Sequence, residues 1–147
     1  MRITKQEIKN NELEARKYLS EYDIDEELVF DHFGLQTLTP DEYYELKNYF
    51  IIRGKFEGEI HFHDRRLGKF YLGQDSDKLE LIEPHPGQVF MQFDCFVEHV
   101  AFRVKNLEKL NKIFADRILS TFNIEGVRGF KIQGPGALLI EFRNNEF

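Results

Sequence analysis

Apolar and polar side chains alternate along several short runs of the chain, and this period of two is typical of β-strands with one buried face. The first run is VFDHFGLQT, in which His32 stands near the centre of an otherwise apolar segment. Whether a short strand forms near Thr121–Ile124 is left open. The alternation predicts strands over residues 29–37, 58–64, 67–73, 78–84, 95–104, 126–134 and 137–144.

A longer apolar period, together with capping residues, predicts three helices. The first covers residues 5–20, and its apolar stripe is thin, so we expect it to lie on the surface or to form an oligomer contact. The second begins after Thr39, a good N-cap, with Pro40 at the first helical position. The third covers residues 106–119, with Asn106 as the cap.

The order of the predicted elements repeats. Residues 29–84 read β-α-β-β-β, and residues 95–147 read β-α-(β)-β-β, which is a weak internal repeat of element order. The segment PHPGQVFMQFD lies between them and is rich in turn residues. We therefore expect an α+β chain. Its predicted parts are a helical extension over 1–27 and one domain over 28–147, divided into module one (28–84), a linker (85–94) and module two (95–147).

Composition narrows the functional classes. The chain has 147 residues and a net charge of −6, and no basic run offsets that charge, so we expect neither nucleic acid nor membrane as a partner. Cys95 is the only cysteine, which excludes an intrachain disulfide and a zinc ribbon. The charged N-terminus has no signal-peptide pattern, and a cytoplasmic location is the expectation.

Alternation assigns side chains to the two faces of each strand, and four strands place one metal-binding side chain opposite an apolar face. These residues are His32, Glu80, His99 and Glu141. The His and the Glu of each half stand at equivalent places, so a duplicated fold is expected to bring all four together. Singly, each Glu is better explained as a solvated residue on a half-exposed sheet. Two imidazoles and two carboxylates suit one Zn²⁺, Ni²⁺, Co²⁺, Fe²⁺ or Mn²⁺ ion, and the ligands do not choose among these metals.

The motifs DHFGL (31–35), LELIEP (79–84), VEHVAFRV (97–104) and LLIEF (138–142) resemble the strands of the vicinal oxygen chelate superfamily, which includes glyoxalases, bleomycin-resistance proteins and dioxygenases. The resemblance implies two βαβββ modules that form a U-shaped mixed sheet cleft around one divalent metal held at those four positions. Glu83 is an alternative to Glu80 if the strand register slips, although alternation favours Glu80. The second module lacks an obvious first strand after its helix.

A closer resemblance is to the uncharacterised YecM-like branch of this superfamily, carried by DRRLGKFYL (64–72) and LIEPHPGQVF (81–90). That branch is of uncertain function, so it informs the fold more than the chemistry.

The superfamily resemblance implies an isomerase or lyase that stabilises an enolate-type intermediate of a small oxygenated substrate, with Glu141 or Glu80 as the catalytic base. Arg103, Arg143 and Gln36 share the predicted site face and are candidates for substrate binding. The alternative is a binding module of the same fold without catalysis. Whether the chain forms a homodimer is left open. No phosphate-binding loop is present, so no nucleotide cofactor is expected.

Overall fold

A computed structural model describes residues 3–72 and 77–145 of the chain. The helices are α1 (Lys5–Leu19), α2 (Pro40–Ile52) and α3 (Leu107–Ile113), and a short 3₁₀ turn (Ala115–Arg117) follows α3. The strands are β1 (Val29–Gln36), β2 (Phe56–Phe62), β3 (Arg65–Tyr71), β4 (Lys78–Ile82), β5 (Phe96–Arg103), β6 (Ile118–Ile124), β7 (Val127–Gln133) and β8 (Leu139–Arg143). Among the helices of the described ranges, none is both long and apolar enough to cross a membrane.

The chain folds into two compact units. The first is built around Phe33–Glu98 and the second around Lys9–His32 and the chain from His99 onward. The strand order is β2-β3-β4-β1 in the first unit and β5-β8-β7-β6 in the second. Each set of four strands carries one helix after its first strand. The prediction of an α+β fold made of two βαβββ modules is therefore confirmed.

Helix α2 begins where its capping residue predicts. The Thr39 hydroxyl oxygen accepts a hydrogen bond from the Glu42 main-chain nitrogen at 3.0 Å, and Pro40 takes the first helical position, where its missing N–H is not needed. On its inner face the helix buries Tyr43 and Phe50, and the Phe50 ring packs 4.9 Å from the ring of Phe70. This aromatic contact fixes α2 against β3 in the first unit.

The core of the second unit is also aromatic. Phe142 on β8 stacks against Phe114 at 5.5 Å and lies 5.3 Å from Phe130 on β7. Helix α1 adds the buried side chain of Ala15 to this unit, and the guanidinium of Arg16 lies 4.9 Å from the centre of the Phe102 ring. These contacts hold β5, β7 and β8 in place beneath the residues described below as the candidate site.

Each of the two modules contains an equivalent hydrogen bond between its strands. In the first unit, the Thr37 nitrogen donates to the carbonyl of Ile82 at 3.0 Å. In the second unit, the Val104 nitrogen donates to the carbonyl of Arg143 at 2.9 Å. His32 and His99 each lie five residues before the donor of the bond, which is Thr37 or Val104. Glu80 and Glu141 each lie two residues before the acceptor, which is Ile82 or Arg143. The internal repeat seen in element order therefore extends to individual positions.

The predicted end of the third helix is wrong. The predicted helix over 106–119 ends at Ile113, and the chain passes through a 3₁₀ turn into strand β6 at Ile118. Ile118 matches the apolar face of a helix by spacing, but it starts a strand that pairs with β7. Strand β6 is the first strand after the helix of module two, and it contains the short strand near Thr121–Ile124 that the sequence left open. Most of its residues are exposed, so it has little apolar alternation for the sequence to reveal.

Strands β2 and β3 each lie about two residues earlier than predicted. The turn between them is formed by His63 and Asp64, and Arg65 already belongs to β3. His63 adopts a positive φ of 58°, a conformation that is uncommon for residues other than glycine and that closes the tight turn.

Candidate metal centre

Strands β1 and β5 place two buried imidazoles side by side in the second unit. The Nε2 atoms of His32 and His99 lie 3.1 Å apart, and the two rings are nearly perpendicular at 87°. Both residues are almost completely buried. Two nitrogen ligands about 2.1 Å from one ion are separated by roughly 3.0 to 3.4 Å for octahedral to tetrahedral angles. The observed separation therefore suits two ligands of a single ion.

Asp31 orients the His32 ring. Its Oδ2 atom lies 2.7 Å from Nδ1 of His32, and its Oδ1 atom lies 3.0 Å from Nε of Arg103. A carboxylate accepts hydrogen bonds, so Nδ1 carries the proton and the lone pair is on Nε2, facing His99. A carboxylate behind a histidine ligand is the usual arrangement in metal sites, where it fixes the tautomer and raises the basicity of the ligand.

Burial also keeps His32 in the form that binds metal. Desolvation lowers the pKa of His32 from 6.5 to about 4, although Asp31 and Glu141 act in the opposite direction. The imidazole is therefore neutral at physiological pH, and its Nε2 lone pair needs no deprotonation before it binds an ion.

Glu141 supplies a carboxylate beside the two imidazoles. In the parallel pairing of β5 with β8, Ala101 lies opposite Glu141, so the carboxylate points to the same face as His99. Its Oε2 atom lies 3.8 Å from Nε2 of His32 and 3.3 Å from Nη1 of Arg143. The small side chain at position 101 leaves room for Glu141 on this face.

Arg143 connects the two buried carboxylates. Its Nη1 atom contacts Glu141, its Nε atom lies 4.0 Å from Oδ2 of Asp31, and Nε donates to the main-chain oxygen of Asn145 at 2.7 Å. Together with Arg103, it balances the charges of the two carboxylates. This pairing offsets part of the cost of burying these groups.

The donor set fits a divalent transition metal. Within the second unit, two imidazoles and one carboxylate lie close together, which is a combination found with Zn²⁺ and with non-haem Fe²⁺. His32 and His99 belong to a group of side chains whose ligand atoms lie within 4.8 Å of one another. These residues would hold such an ion.

Glu80 and its alternative, Glu83, lie in the first unit. Glu80 is half-buried on β4, opposite Lys69 on β3. Glu83 is buried, and its carboxylate accepts a hydrogen bond from the Arg66 main-chain nitrogen at 3.1 Å and pairs with the Arg66 guanidinium at 2.9 Å. The structure thus commits Glu83 to Arg66, while Glu80 occupies the register position that corresponds to Glu141. Glu80 as a ligand stays a prediction.

The substrate-binding candidates all have protein contacts. Arg103 and Arg143 contact Asp31 and Glu141 as described, and Gln36 is buried in the first unit with its amide nitrogen donating to the Thr37 carbonyl at 2.9 Å. Their roles toward a substrate stay predictions.

A second group of side chains that could bind a metal lies in the first unit. The ligand atoms of Glu42, Asp94 and Cys95 lie within 4.8 Å of one another. Burial raises the pKa of Glu42 and raises that of the Cys95 thiol to about 12. One carboxylate oxygen of Glu42 accepts a hydrogen bond from the Leu38 nitrogen at 2.8 Å. No local sequence pattern marks this group, because Glu42 lies 53 residues before Cys95 along the chain.

Asp31 belongs to the candidate site, although its role was not predicted from the sequence. The available signal is its position directly before His32, as a carboxylate in an otherwise apolar strand.

No protein-family model matches the chain, and no curated protein does. Methylmalonyl-CoA epimerase from Mycobacterium tuberculosis is similar over 81% of this chain and 89% of its own, at 16% identity and a TM-score of 0.62. A structural-genomics target called protein EC4020 is similar over 95% of this chain and 82% of its own, at 16% identity and a TM-score of 0.67.

A member of the glyoxalase/bleomycin resistance protein/dioxygenase superfamily from Vibrio splendidus 12B01 is similar over 82% of this chain and 99% of its own, at 17% identity and a TM-score of 0.51. Identities this low show a shared fold and carry no information on activity. The chain therefore shares the α+β fold of these structures.

Proposed function

We propose that the chain binds one divalent metal ion through His32, Glu80, His99 and Glu141, and that it is an isomerase or lyase acting on a small oxygenated substrate. The observation that carries this proposal is the 3.1 Å approach of the two histidine Nε2 atoms, with His32 held from behind by Asp31. Two buried imidazoles whose Nε2 atoms face each other are stabilised by a cation that both of them bind.

Glu80 is included because of the repeat. It stands two residues before Ile82, as Glu141 stands two residues before Arg143, and both Ile82 and Arg143 accept the equivalent strand-to-strand hydrogen bond. Glu83 is already paired with Arg66, which supports Glu80 over Glu83 as the ligand of module one.

A bound ion of this class supplies Lewis acidity, which stabilises negative charge on a substrate oxygen during proton transfer. Glu141 is the proposed base, because its carboxylate lies close to His32 and is oriented by Arg143. Glu80 is the second candidate for this role. Arg103, Arg143 and Gln36 are proposed to contact acidic or carbonyl groups of the substrate.

The alternative function is a binding module in which the same residues hold a metal or a small molecule without catalysis. The fold allows both, since sites and not folds determine activity. Placement in the YecM-like branch, a cytoplasmic location and the substrate as a small molecule are further parts of this proposal, and they are supported by the sequence motifs and composition alone.

Metal analysis tests the binding part of the proposal. Protein purified without chelator, and protein reconstituted with Zn²⁺, Ni²⁺, Co²⁺, Fe²⁺ or Mn²⁺, is expected to hold one ion per chain by elemental analysis. Single variants His32→Ala, His99→Ala and Glu141→Ala should weaken binding at least about tenfold. The exposed His61→Ala variant is the matched control and should bind normally. Failure of every metal to bind would refute the proposal.

Proton exchange separates catalysis from binding. Candidate 2-oxo acids, 2-hydroxy acids and their thioesters are incubated with the loaded protein in D₂O, and loss of a C–H signal is followed by NMR. Catalysis predicts exchange that Glu141→Gln slows strongly. Metal binding without exchange of any substrate in the panel favours the binding module.

A further inference from the structure

Each proposed carboxylate ligand lies opposite a lysine on the neighbouring strand. Lys69 on β3 is opposite Glu80 on β4, and Lys131 on β7 is opposite Glu141 on β8. Residues that lie opposite each other in an antiparallel pair point to the same face of the sheet. The two lysines are therefore equivalent in the repeat, and each shares a face with its proposed ligand.

The outermost strand of each module carries a β-bulge beside its lysine. In module one the register of β2 against β3 shifts between Phe56 and Gly58, which leaves Glu57 as the extra residue. In module two the register of β6 against β7 shifts just before Ser120, which leaves Leu119 as the extra residue. A bulge changes the direction of the side chain that it carries. The repeated bulge thus carries a carboxylate in module one and an apolar side chain in module two.

Glu57 is held by side chains on the face of Glu80. The Lys69 Nζ atom lies 3.5 Å from Oε1 of Glu57, and the Tyr71 hydroxyl donates a hydrogen bond to Oε2. Tyr71 follows Lys69 by two residues and therefore shares its face, and it lies opposite Lys78. The hydrogen bond from Tyr71 lowers the pKa of Glu57, and the charges of the two lysines lower it further. We call Lys69, Tyr71 and Lys78 the carboxylate site, because a carboxylate fits among them.

The carboxylate site has no counterpart in module two. The positions that correspond to Tyr71 and Lys78 are opposite each other in the same way, but they hold Gln133 and Leu139. The repeat therefore keeps a lysine beside each proposed ligand, and only module one adds a phenol and a second lysine. This difference points to a binding role that only one module has.

We propose that the carboxylate site binds a carboxylate of the substrate, which takes the place of Glu57. This inference rests on the proposed function, because it takes Glu80 as a ligand of the ion. The substrate class that fits is a short acid with a carboxylate apart from the oxygen atoms that bind the ion. Cβ atoms of opposite residues are about 5 Å apart, so a carboxylate bound at Lys69 lies next to the proposed ligand.

Glu57 can be exchanged for an incoming carboxylate at low cost. Its side chain is 41% exposed, so its carboxylate regains water when it leaves the site. Exposed ion pairs of this kind add little to stability. The incoming carboxylate receives the same charge-assisted hydrogen bonds from Lys69 and Tyr71. Glu57 is therefore a weak internal competitor, and its removal should strengthen substrate binding.

NMR titration of the full chain, freed of metal with the neutral chelator phenanthroline, tests the proposal. Malonate is the probe, and malonamide is its uncharged counterpart. Malonate should shift the backbone amide signals of β2, β3 and β4 with a dissociation constant in the millimolar range, and malonamide should leave these signals unchanged.

Two substitutions should change the affinity for malonate in opposite directions. Glu57→Gln removes the competing carboxylate and should strengthen binding about threefold. Lys69→Met removes a charged donor and should weaken binding at least about tenfold. Both side chains are partly exposed, so both variants should keep the circular dichroism spectrum of the native chain.

Two further variants are matched controls. Glu45→Gln removes the same charge from an exposed position on α2. Lys131→Met removes the equivalent lysine of module two, which has no carboxylate site. Each should leave the dissociation constant for malonate within about twofold of the native value.

The proposal is overturned if malonate leaves the signals of β2, β3 and β4 unchanged, if malonamide shifts them equally, or if Glu57→Gln does not strengthen binding. Tighter binding of inorganic phosphate than of malonate at these strands also overturns it, in favour of a phosphorylated substrate. Because metal is removed beforehand, a failure of malonate to bind is distinct from a failure to bind metal, which elemental analysis detects.

Discussion

Oδ2 of Asp31 lies 2.7 Å from Nδ1 of His32, and both side chains are buried next to Arg103. Adjacent residues of a strand point to opposite faces, so a contact between these two side chains brings a carboxylate around to the back of the imidazole. Asp31 therefore sets the tautomer of His32 while Arg103 balances its charge. The proposed function depends on this relationship more than on any other contact outside the ligands themselves.

Replacing Asp31 by Asn should weaken metal binding without removing a ligand. The neutral amide stabilises the proton on Nδ1 less well, and its NH₂ group offers the alternative tautomer a partner. We expect the metal affinity, measured by isothermal titration calorimetry, to fall about 10- to 100-fold. Asp23→Asn changes an exposed carboxylate of the same unit and should have no effect. Equal affinities of Asp31→Asn and the native chain would show that Asp31 does not orient His32.

The stability of the metal-free chain should depend on His32 as the pH falls. The pKa of this residue is lowered to about 4 in the folded chain, whereas an unfolded histidine titrates near 6.5. Between these values the unfolded chain binds a proton that the folded chain does not, so the stability present above pH 6.5 is lost as the pH falls toward 4. The full effect is about 3 kcal/mol.

Urea unfolding in the presence of a chelator, at several pH values from 7 to 4.5, measures this effect. His32→Gln has no group that titrates in this window at position 32, so its free energy of unfolding should fall less steeply with pH than that of the native chain. Parallel profiles for the two proteins would mean that His32 is protonated in the folded state.

The sequence predicts the elements whose local signals agree with their packing. Helix α2 has a cap at Thr39, a proline at its start and a buried aromatic face, and it begins where predicted. The prediction for helix α3 extends too far because Ile118 continues the apolar spacing of the helix, whereas Ile118 begins a strand that pairs with β7 in a hairpin. Strand β6 is largely exposed, so the sequence suggests only its second half, near Thr121–Ile124.

The sequence likewise predicts the ligands of the candidate site better than it predicts their contacts. Alternation is enough to select His32 and His99, because each is a polar side chain in an apolar strand. Their approach to 3.1 Å follows from the positions of β1 and β5, which no local pattern encodes. The contacts of Arg143 with Glu141 and Asp31 depend on the rotamers of long side chains, and the sequence alone suggests only that Arg143 shares a face with Glu141.

Cys95 should be unreactive in the folded chain. It is 6% exposed, and burial first, then the nearby Asp94 and Glu42 carboxylates, raise the pKa of its thiol from 9.0 to about 12. At pH 8 this lowers the thiolate fraction about a thousandfold, and the thiolate is the nucleophile. Alkylation by iodoacetamide, followed by mass spectrometry, should be at least about a hundredfold slower in buffer than in urea. Similar rates in both solvents would mean that the thiol is accessible and ionised in the native chain.

Gly129 on β7 should not tolerate a side chain. A Cβ atom at this position would lie 2.4 Å from the Phe122 ring and 2.5 Å from the Phe142 main-chain oxygen. The ring could turn away, but the main-chain oxygen belongs to the β7–β8 pairing and cannot move without breaking it. Phe122 also lies under the guanidinium of Arg143, at 5.6 Å, so displacement of the ring would disturb the partner of Glu141.

We therefore expect Gly129→Ala to lower the free energy of unfolding by about 1–3 kcal/mol, measured by urea titration, and to weaken metal binding as well. Gly58→Ala is the matched control, because Gly58 also lies in a strand and a Cβ atom there would meet no atom within 4 Å. That substitution removes backbone freedom from the unfolded chain and should be neutral or slightly stabilising. If the two variants were equally stable, the close approach of Phe142 to Gly129 would not constrain this strand pair.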